Sequence, residues 1–261
     1  MPEGDTVYRT AADLRRILEG KVLQHSQFRT PGLATSDLAG RTVTSVRSRG
    51  KHLLINIAGT ATQSAVSIHT HLKMEGEWHV HPVGTRWRKP AHKARIVLRT
   101  STHEAVGFDL GVVDLLADPD AALAYLGPDL LGDDWDPAKA TTRITAHPGT
   151  TIGEALLDQR LMAGVGNEYR SEICFLRGVH PETPVADVDV ATVVDLARRL
   201  LWANKDRKVR VTTGNTAPHA RLWVYGRHRQ PCRRCHTLIV RATLGPPGQD
   251  RSIYFCPACQ S

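Results

Sequence analysis

The sequence has no long apolar run. Its 261 residues contain no stretch that approaches the ~20 apolar residues needed to span a bilayer as a helix. The first residues are polar and acidic where a secretory signal requires an apolar segment. Internal repeats and low-complexity tracts are absent from the sequence as well. We therefore expect a cytoplasmic protein, in which thiols stay reduced.

Cysteine is also scarce, and four of the five cysteines form one pattern. Two Cys-x2-Cys pairs are separated by twenty residues, as Cys232, Cys235, Cys256 and Cys259. This spacing is typical of a tetrahedral zinc site, and four thiolates leave no position for water, so the ion would be structural. Disulfides are the competing interpretation, which a reducing compartment disfavours. The fifth, Cys174, lies on an apolar helical stripe, and we expect it in the core.

Positive charge is concentrated in one segment. The formal net charge is +8 and the pI is near 9.5, yet residues 198–251 alone carry thirteen Lys or Arg against two acids. The rest of the chain is therefore slightly acidic. Such a segment indicates a surface that binds a polyanion such as nucleic acid. A basic face that is merely solvated is the alternative.

The spacing of apolar residues divides the chain into three parts. Residues 1–126 begin with a helix and continue as short strands with glycine breaks, which predicts an antiparallel β-sandwich. An acidic, turn-rich joint follows, and residues 127–221 have a helical period. Residues 222–261 contain several Gly and Pro and predict a short β-hairpin held by the cysteines. The fold class is thus multi-domain α+β.

Individual elements can be predicted within this plan. The first helix should be capped by Asp5 or Thr6. Its apolar face comprises residues three or four positions apart: Val7, Ala11, Leu14 and Leu18. A loop is expected over 81–93. Runs rich in β-branched residues predict strands at 43–46, 52–57, 64–68 and 94–98. Helical spacing predicts helices at 137–146, 152–161, 167–177 and 187–204.

The first residues suggest chemistry as well as structure. Removal of Met1 would leave Pro2 at the terminus with a free secondary amine. A backbone amine titrates at roughly 7.7–8 and can be nucleophilic near neutral pH, whereas a lysine, at about 10.4, needs strong desolvation. Glu3 lies beside that amine, and the following helix would anchor both. A processed and capped chain start without catalytic function is the alternative.

A second segment, 156–169, runs from a helix through a glycine turn into a helix that begins at Asn167. Asn is a good helix cap, and exposed N–H groups at a helix start attract phosphate. Gly164 and Gly166 would let a DNA backbone approach closely. A plain helical hairpin with a glycine turn is the competing interpretation.

Together these motifs resemble the formamidopyrimidine-DNA glycosylase and endonuclease VIII family. A Pro-Glu-Gly start, a Gly-Val-Gly-Asn segment and a four-cysteine finger occur in the family's order and spacing over essentially the whole chain. Residues 49–54, 224–227 and 251–260 also fit. The resemblance implies a catalytic β-sandwich domain, a helix–two-turns–helix DNA-binding domain and a zinc-finger β-hairpin.

The resemblance implies catalytic roles for four residues. Pro2 would attack the anomeric carbon of the damaged nucleotide, and Glu3 would act as general acid. Lys51 would contact phosphate or assist elimination. Arg251 would reach phosphate from the finger and help the second elimination. The implied activity is that of a bifunctional DNA glycosylase and abasic-site lyase, which cleaves the strand by β,δ-elimination through a Schiff base.

The resemblance also implies partners. Asn167 would bind phosphate beside the flipped nucleotide, and His71 falls where endonuclease VIII relatives carry a DNA-contacting glutamine. The expected partner is damaged DNA, as duplex, bubble or single strand, bound by a monomer associated with the nucleoid and not with a membrane. One structural Zn²⁺ per chain is the expected cofactor, and the chemistry requires no redox cofactor or catalytic metal.

At four places the sequence departs from the family pattern. Thr6 stands where a second glutamate is typical, and Leu126 stands where endonuclease VIII relatives carry an arginine. Residues 107–113 lack the Arg-x-Phe loop of the oxidised-purine enzymes, and Met74 is the one candidate wedge for the base gap. We therefore expect weak or narrow activity on duplex DNA and a preference for single strands, bubbles or abasic sites.

Three interpretations compete. An endonuclease VIII-like enzyme acting on oxidised pyrimidines is favoured over the oxidised-purine branch by Gly4 and by the missing Arg-x-Phe loop. A DNA-lesion binding protein with this fold but little catalysis would never form a borohydride-trapped adduct with abasic DNA. A zinc-ribbon transcription or structural protein would have no reason to retain Pro2 and Glu3.

Overall fold

The computed structural model describes residues 2–246, 248 and 250–260. It divides into two compact units, which are described separately. Pro2 and Thr6–Tyr125 belong to the first, and Glu3–Asp5 and the residues from Leu126 onward belong to the second. None of the helices in the described residues combines the length and apolarity needed to cross a membrane.

The first unit consists of one long helix and two antiparallel sheets. The helix is α1 (Gly4–Leu18), whose first two residues group with the second unit. The strands are β1 (His25–Phe28), β2 (Val43–Arg49), β3 (His52–Ile57), β4 (Val66–His71), β5 (Glu77–Pro82), β6 (Ala94–Arg99), β7 (His103–Phe108) and β8 (Val112–Leu116). One sheet has the order β1-β6-β7-β5 and the other β2-β3-β4-β8. A one-turn helix, α2 (Pro119–Ala122), follows.

The apolar face of α1 packs with residues from both sheets in a single core. Its four predicted members, Val7, Ala11, Leu14 and Leu18, are each at most 1% exposed, which confirms that face. A fully buried leucine contributes roughly 1.5–3 kcal/mol to stability, so this face fixes the helix on the sheets. The β-sandwich prediction is confirmed.

The strand predictions are partly right. β3 has the predicted bounds, and β2, β4 and β6 overlap the predicted runs. The other four strands, β1, β5, β7 and β8, are not predicted. Their sequences mix His, Asp, Glu, Pro or Gly with the apolar residues, which weakens the strand pattern, and cross-strand pairing stabilises them instead. The expected loop over 81–93 is only partly right, because its first two residues belong to β5, residues 83–90 are irregular and Ala91–Lys93 form a short 3-10 helix.

The second unit is mainly helical and ends in a hairpin. Its elements are α3 (Pro137–Thr145), α4 (Ile152–Leu157), α5 (Asn167–Arg177), α6 (Val190–Asn204), β9 (Val240–Leu244) and β10 (Arg251–Phe255). α5 has the predicted bounds. α4 is shorter than expected because Asp158 is extended and its carboxylate accepts the Arg160 N–H. α6 starts late, since the Asp189 side chain caps it. Three domains, 1–126, 127–221 and 222–261, stay a prediction.

Helix α5 is the buried centre of the second unit. It ends at Gly178, whose φ of 71° permits the left-handed cap. Cys174 is buried as predicted, and burial raises the pKa of its thiol to about 12. The carboxylate of Glu172 accepts the three backbone N–H groups of residues 223–225 and the Thr212 hydroxyl. Because a buried acid needs such donors, Glu172 fixes the segment that leads into the finger.

Candidate active site

The carboxylate of Glu3 lies on the N-terminus of α5. The side chain is fully buried. Its Oε2 accepts the Gly166 N–H at 2.6 Å, and its Oε1 accepts the Glu168 N–H at 2.8 Å. The Tyr169 N–H also points to Oε2, at 3.4 Å. A helix start offers unpaired N–H groups and a positive dipole end, so it binds this carboxylate firmly. The N–H groups expected to attract phosphate are therefore engaged by the chain's own glutamate.

The two glycines before α5 make room for residues 3 and 4. The Gly4 N–H donates to the Gly164 carbonyl at 2.9 Å. A Cβ on Gly166 would lie 2.4 Å from the Glu3 carboxyl carbon, and Gly164 has a φ of 119°. The sequence predicts that these glycines admit a DNA backbone, but the structure gives both of them a reason within the protein.

Gly166→Ala is therefore expected to displace Glu3. The φ of Gly166 is −122°, so alanine brings no backbone strain, and the clash falls on the Glu3 side chain. Misplacing a catalytic group by about 1 Å can cost on the order of a hundredfold in rate, so we expect cleavage of abasic DNA to fall at least tenfold. Single-turnover rates measure this. Gly149→Ala, where a Cβ meets open space, is the matched control. Equal rates for the two variants would contradict the assignment.

One arginine, absent from the sequence predictions, balances the acids around Glu3. The Nη2 group of Arg210 donates to the Asp5 carboxylate at 2.5 Å. Its Nη1 lies 2.9 Å from the Glu168 carboxylate and 3.6 Å from the Glu3 carboxylate. Its guanidinium stacks 4.3 Å from the Tyr169 ring, whose hydroxyl donates to Asp5 at 2.9 Å. Burial lowers the pKa of Arg210, but the charges of Glu3 and Asp5 outweigh it and raise that pKa well above its ordinary value.

The expected cap of α1 by Asp5 or Thr6 is wrong. The helix begins at Gly4, so both residues lie inside its first turn. The Asp5 carboxylate pairs with Arg210 and Tyr169 instead, and as an acid in the first turn it complements the helix dipole.

Asn167 is the first residue of α5, with Gly166 as its N-cap, so the predicted cap is displaced by one residue. The Asn167 Nδ2 donates to the Ser252 carbonyl at 2.5 Å, and its Oδ1 accepts from Arg170. The fully buried Arg170 also faces the carbonyls of Arg251 and Ser252 at 3.4 and 3.3 Å. Asn167 therefore lies beside the start of β10, where the Arg251 side chain is exposed.

Two further predicted residues lie close together in the first unit. Lys51 lies in the turn between β2 and β3, and its neighbour His52 pairs across the strands with His71. The rings of His52 and His71 are 5.0 Å apart, edge to face. Burial, followed by the charges of Lys73 and Lys51, lowers the pKa of His71 to about 4. His71 is therefore neutral at physiological pH.

The remaining candidates are placed as follows. Pro2 is half-buried and immediately precedes α1. Met74 is 66% exposed, as a wedge residue requires, whereas Leu126 is buried. Within the second unit, Glu3, Asn167 and Arg251 belong to one hydrogen-bonded region. The catalytic and DNA-binding roles given to all of these residues stay predictions.

The four cysteines of the finger form one cluster. Their Sγ atoms all lie within 4.8 Å of one another, and three of the pairs are 3.3–3.9 Å apart. Sulfurs bound tetrahedrally at about 2.3 Å from zinc would lie about 3.8 Å apart, so the set fits a metal. All four are free thiols, which removes the disulfide alternative. Gln260 braces the cluster, because it accepts the Cys256 N–H and donates to the Val179 carbonyl.

Sequence reasoning missed three residues of this region. Arg210 lies among thirteen basic residues in the segment 198–251, and nothing local distinguishes it from the others. Glu168 and Arg170 look like ordinary polar positions of a surface helix. One signal was available: Phe175 is two helical turns after Glu168 and so lies on the same side of the helix, which argues against a solvent-facing glutamate at 168.

Comparison with known proteins identifies relatives over the full chain. The family model for the formamidopyrimidine-DNA glycosylase N-terminal domain matches residues 1–113. The model for the formamidopyrimidine-DNA glycosylase H2TH domain matches residues 126–202. A Streptomyces coelicolor protein named probable endonuclease 8 2 is 48% identical over 100% of this chain and 94% of its own length. A Mycolicibacterium smegmatis protein named DNA-(apurinic or apyrimidinic site) lyase Nei2 is 49% identical, covering 100% and 99%.

Solved structures share the fold. Lactococcus lactis Fpg in complex with DNA containing an abasic site has a TM-score of 0.80, with all of both chains covered and 21% sequence identity.

Proposed function

Because the chain belongs to the formamidopyrimidine-DNA glycosylase family, we propose that it is a bifunctional DNA glycosylase and abasic-site lyase of base excision repair. The observation that carries the proposal is the seating of Glu3, the residue after Pro2 in the sequence, on the N-terminus of α5. A terminal amine beside a firmly held carboxylate is the pair that this chemistry needs.

The reaction begins at the sugar of the damaged nucleotide. After removal of Met1, the Pro2 nitrogen bonds to C1′, the bond from C1′ to the base breaks, and the base departs with a proton. Protonation of the ring oxygen then breaks the C1′–O4′ bond and leaves an iminium, which acidifies the C2′–H bond. Loss of that proton expels the 3′ phosphate, and a second elimination expels the 5′ phosphate. Water then hydrolyses the iminium and restores the amine. The target must leave the base stack first, at a cost of a few kcal/mol that is smaller for a damaged base.

The surrounding residues support these steps. Glu3 would protonate the sugar oxygen as the ring opens and would pass protons in the later steps. Lys51 would contact phosphate, and the neutral His71 would offer DNA a hydrogen bond without charge. Asn167 and Arg251 would bind the phosphates on either side of the nucleotide, since the Asn167 side chain donates to the carbonyl of Ser252, the residue that follows Arg251.

The finger would hold one Zn²⁺ per chain in a structural role. Its four cysteine ligands complete a tetrahedral shell, so the ion would fix the hairpin that carries Arg251. The catalytic steps use the chain's own amine and carboxylates.

The substrate range follows from what the chain can insert into the duplex. Met74 is exposed, whereas Leu126, at the position where endonuclease VIII relatives carry an arginine, is buried. We infer a preference for oxidised pyrimidines, as in enzymes of the endonuclease VIII type, and for single strands, bubbles or existing abasic sites. The protein would act as a monomer on nucleoid DNA in the cytoplasm.

Borohydride trapping on abasic DNA tests the proposed function. Processed protein and an oligonucleotide with one abasic site should give a covalent adduct with sodium borohydride, and β,δ-elimination products without it. Protein whose Pro2 amine has been acetylated should give neither, whereas Pro2→Gly keeps a terminal amine and should be slower. If folded, zinc-loaded wild-type protein binds the oligonucleotide but forms no adduct, the protein is a lesion-binding protein and the enzymatic proposal fails.

A further inference from the structure

Glu168 lies close to the Glu3 carboxylate but has no part in the chemistry described above. It is the second residue of α5, and its side chain is only 12% exposed. Its own N–H donates to Glu3, and its carboxylate pairs with Arg210 at 2.9 Å. The same Arg210 nitrogen, Nη1, lies 3.6 Å from the Glu3 carboxylate. Glu168 and Glu3 therefore share one donor, and Glu168 holds it at the shorter distance.

Charge around this donor is unbalanced. Glu3, Asp5 and Glu168 present three carboxylates to the single guanidinium of Arg210. Tyr225 also faces the group, since burial and then the charge of Glu168 raise the pKa of its hydroxyl. Burial raises the pKa of Glu168 to about 6, with Arg210 opposing the shift and Glu3 adding to it. Glu168 can therefore change charge near neutral pH.

We propose that Glu168 is a positioning residue for Glu3: Glu168 binds the Nη1 group of Arg210 and thereby keeps that donor from pairing closely with the Glu3 carboxylate. The proposal rests on the proposed function, in which Glu3 moves protons. A carboxylate held by helix N–H groups and by a close guanidinium would be a poor proton carrier, because each of these donors binds its ionised form. Glu168 thus supplies, from a different element, a second carboxylate in a chain that carries Thr6 where the family's second glutamate is typical.

The test compares wild type with Glu168→Gln across pH. Glutamine keeps the shape of the glutamate side chain but lacks its charge, so the Nη1 group of Arg210 is free to move towards Glu3. We expect the single-turnover rate of abasic-site cleavage to fall about tenfold at pH 8, equivalent to one pKa unit of altered proton affinity. At pH 5 wild-type Glu168 is itself protonated, so the two rates should agree within about twofold on the same reasoning. A constant ratio of the two rates from pH 5 to pH 8 would overturn the proposal.

Thermal stability separates positioning from a merely structural role. When the pKa of a carboxyl group is raised in the folded state, ionising that group lowers the stability of the folded protein. Wild-type stability should therefore fall as pH rises from the ordinary value of 4.5 through about 6. Glu168→Gln lacks this loss, so its Tm at pH 8 should equal or exceed that of wild type. A less stable or unfolded Gln variant at pH 8 would show that Glu168 is structural and would overturn the proposal.

Two variants complete the design. Glu168→Asp keeps the charge and should recover at least half of the wild-type rate at pH 8, whereas failure to exceed the Gln variant counts against the proposal. Glu182→Gln removes an exposed glutamate of the same unit and should leave both rate and Tm unchanged.

Adduct formation by wild type distinguishes failure of the proposed function from failure of the role of Glu168. Without an adduct the proposed function itself fails; with an adduct but parallel pH profiles, only the role of Glu168 fails.

Discussion

Glu3→Gln is expected to lose at least about a hundredfold in abasic-site cleavage, because general acid–base groups contribute roughly 10²–10⁴-fold. Glutamine cannot carry the proton, and its amide nitrogen would face either the Gly166 or the Glu168 N–H, each of which donates to one carboxylate oxygen of Glu3. An unpaired buried donor costs about 1–3 kcal/mol, so the variant should also be less stable. Single-turnover cleavage at a temperature well below the Tm of both proteins measures the catalytic part.

Glu182→Gln is the control for the substitution itself, because that side chain is exposed and belongs to the same unit. It should cleave abasic DNA at the wild-type rate. A Glu3→Gln protein within about threefold of wild type would exclude Glu3 as the general acid, since even the lower bound for such groups is about a hundredfold.

Cys256→Ser should abolish DNA binding by unfolding the finger. Cys256 is fully buried within the sulfur cluster, and metal binding to such small domains supplies on the order of 10–16 kcal/mol of folding free energy. Losing one thiolate would release the hairpin that carries Arg251. We expect the zinc content to fall from one per chain towards zero. Affinity for abasic DNA should weaken by at least about a hundredfold, because loss of even an outer-shell partner of a metal site costs roughly 10–100-fold in metal affinity or activity.

Metal analysis and binding titrations on the same preparation test this expectation. Cys174→Ala is the matched control, because this thiol lies in the core and outside the cluster. It should retain zinc and bind DNA. Unchanged affinity in fully metal-stripped protein would remove the finger from the binding surface.

The strongest sequence patterns correspond to the best-defined parts of the fold. The face of α1 is confirmed because four apolar residues at helical spacing leave one way to bury them. The bounds of α5 follow from Gly166 and Gly178, which flank it. The cysteine quartet is confirmed as a cluster, since its spacing allows few other arrangements. β5 and β7 were missed because partner strands, rather than their own composition, stabilise them.

The candidate site was predicted in its named residues but not in its connections. No local pattern shows that Glu3 would occupy the start of α5, because the contact joins positions more than 160 residues apart. Arg210 could not be predicted for the same reason, because it becomes the counter-ion of three acids only when the chain is folded. Motif reasoning thus found groups with chemical function, while their electrostatic partners required the structure.

The central claim is that the Pro2 nitrogen is the nucleophile, and the most direct measurement is the mass of the peptide that carries a borohydride-trapped adduct. Digestion of the trapped complex and fragmentation of the labelled peptide should locate the reduced sugar on the terminal nitrogen of Pro2. An adduct on the side chain of Lys51, or on any other lysine, would contradict the account.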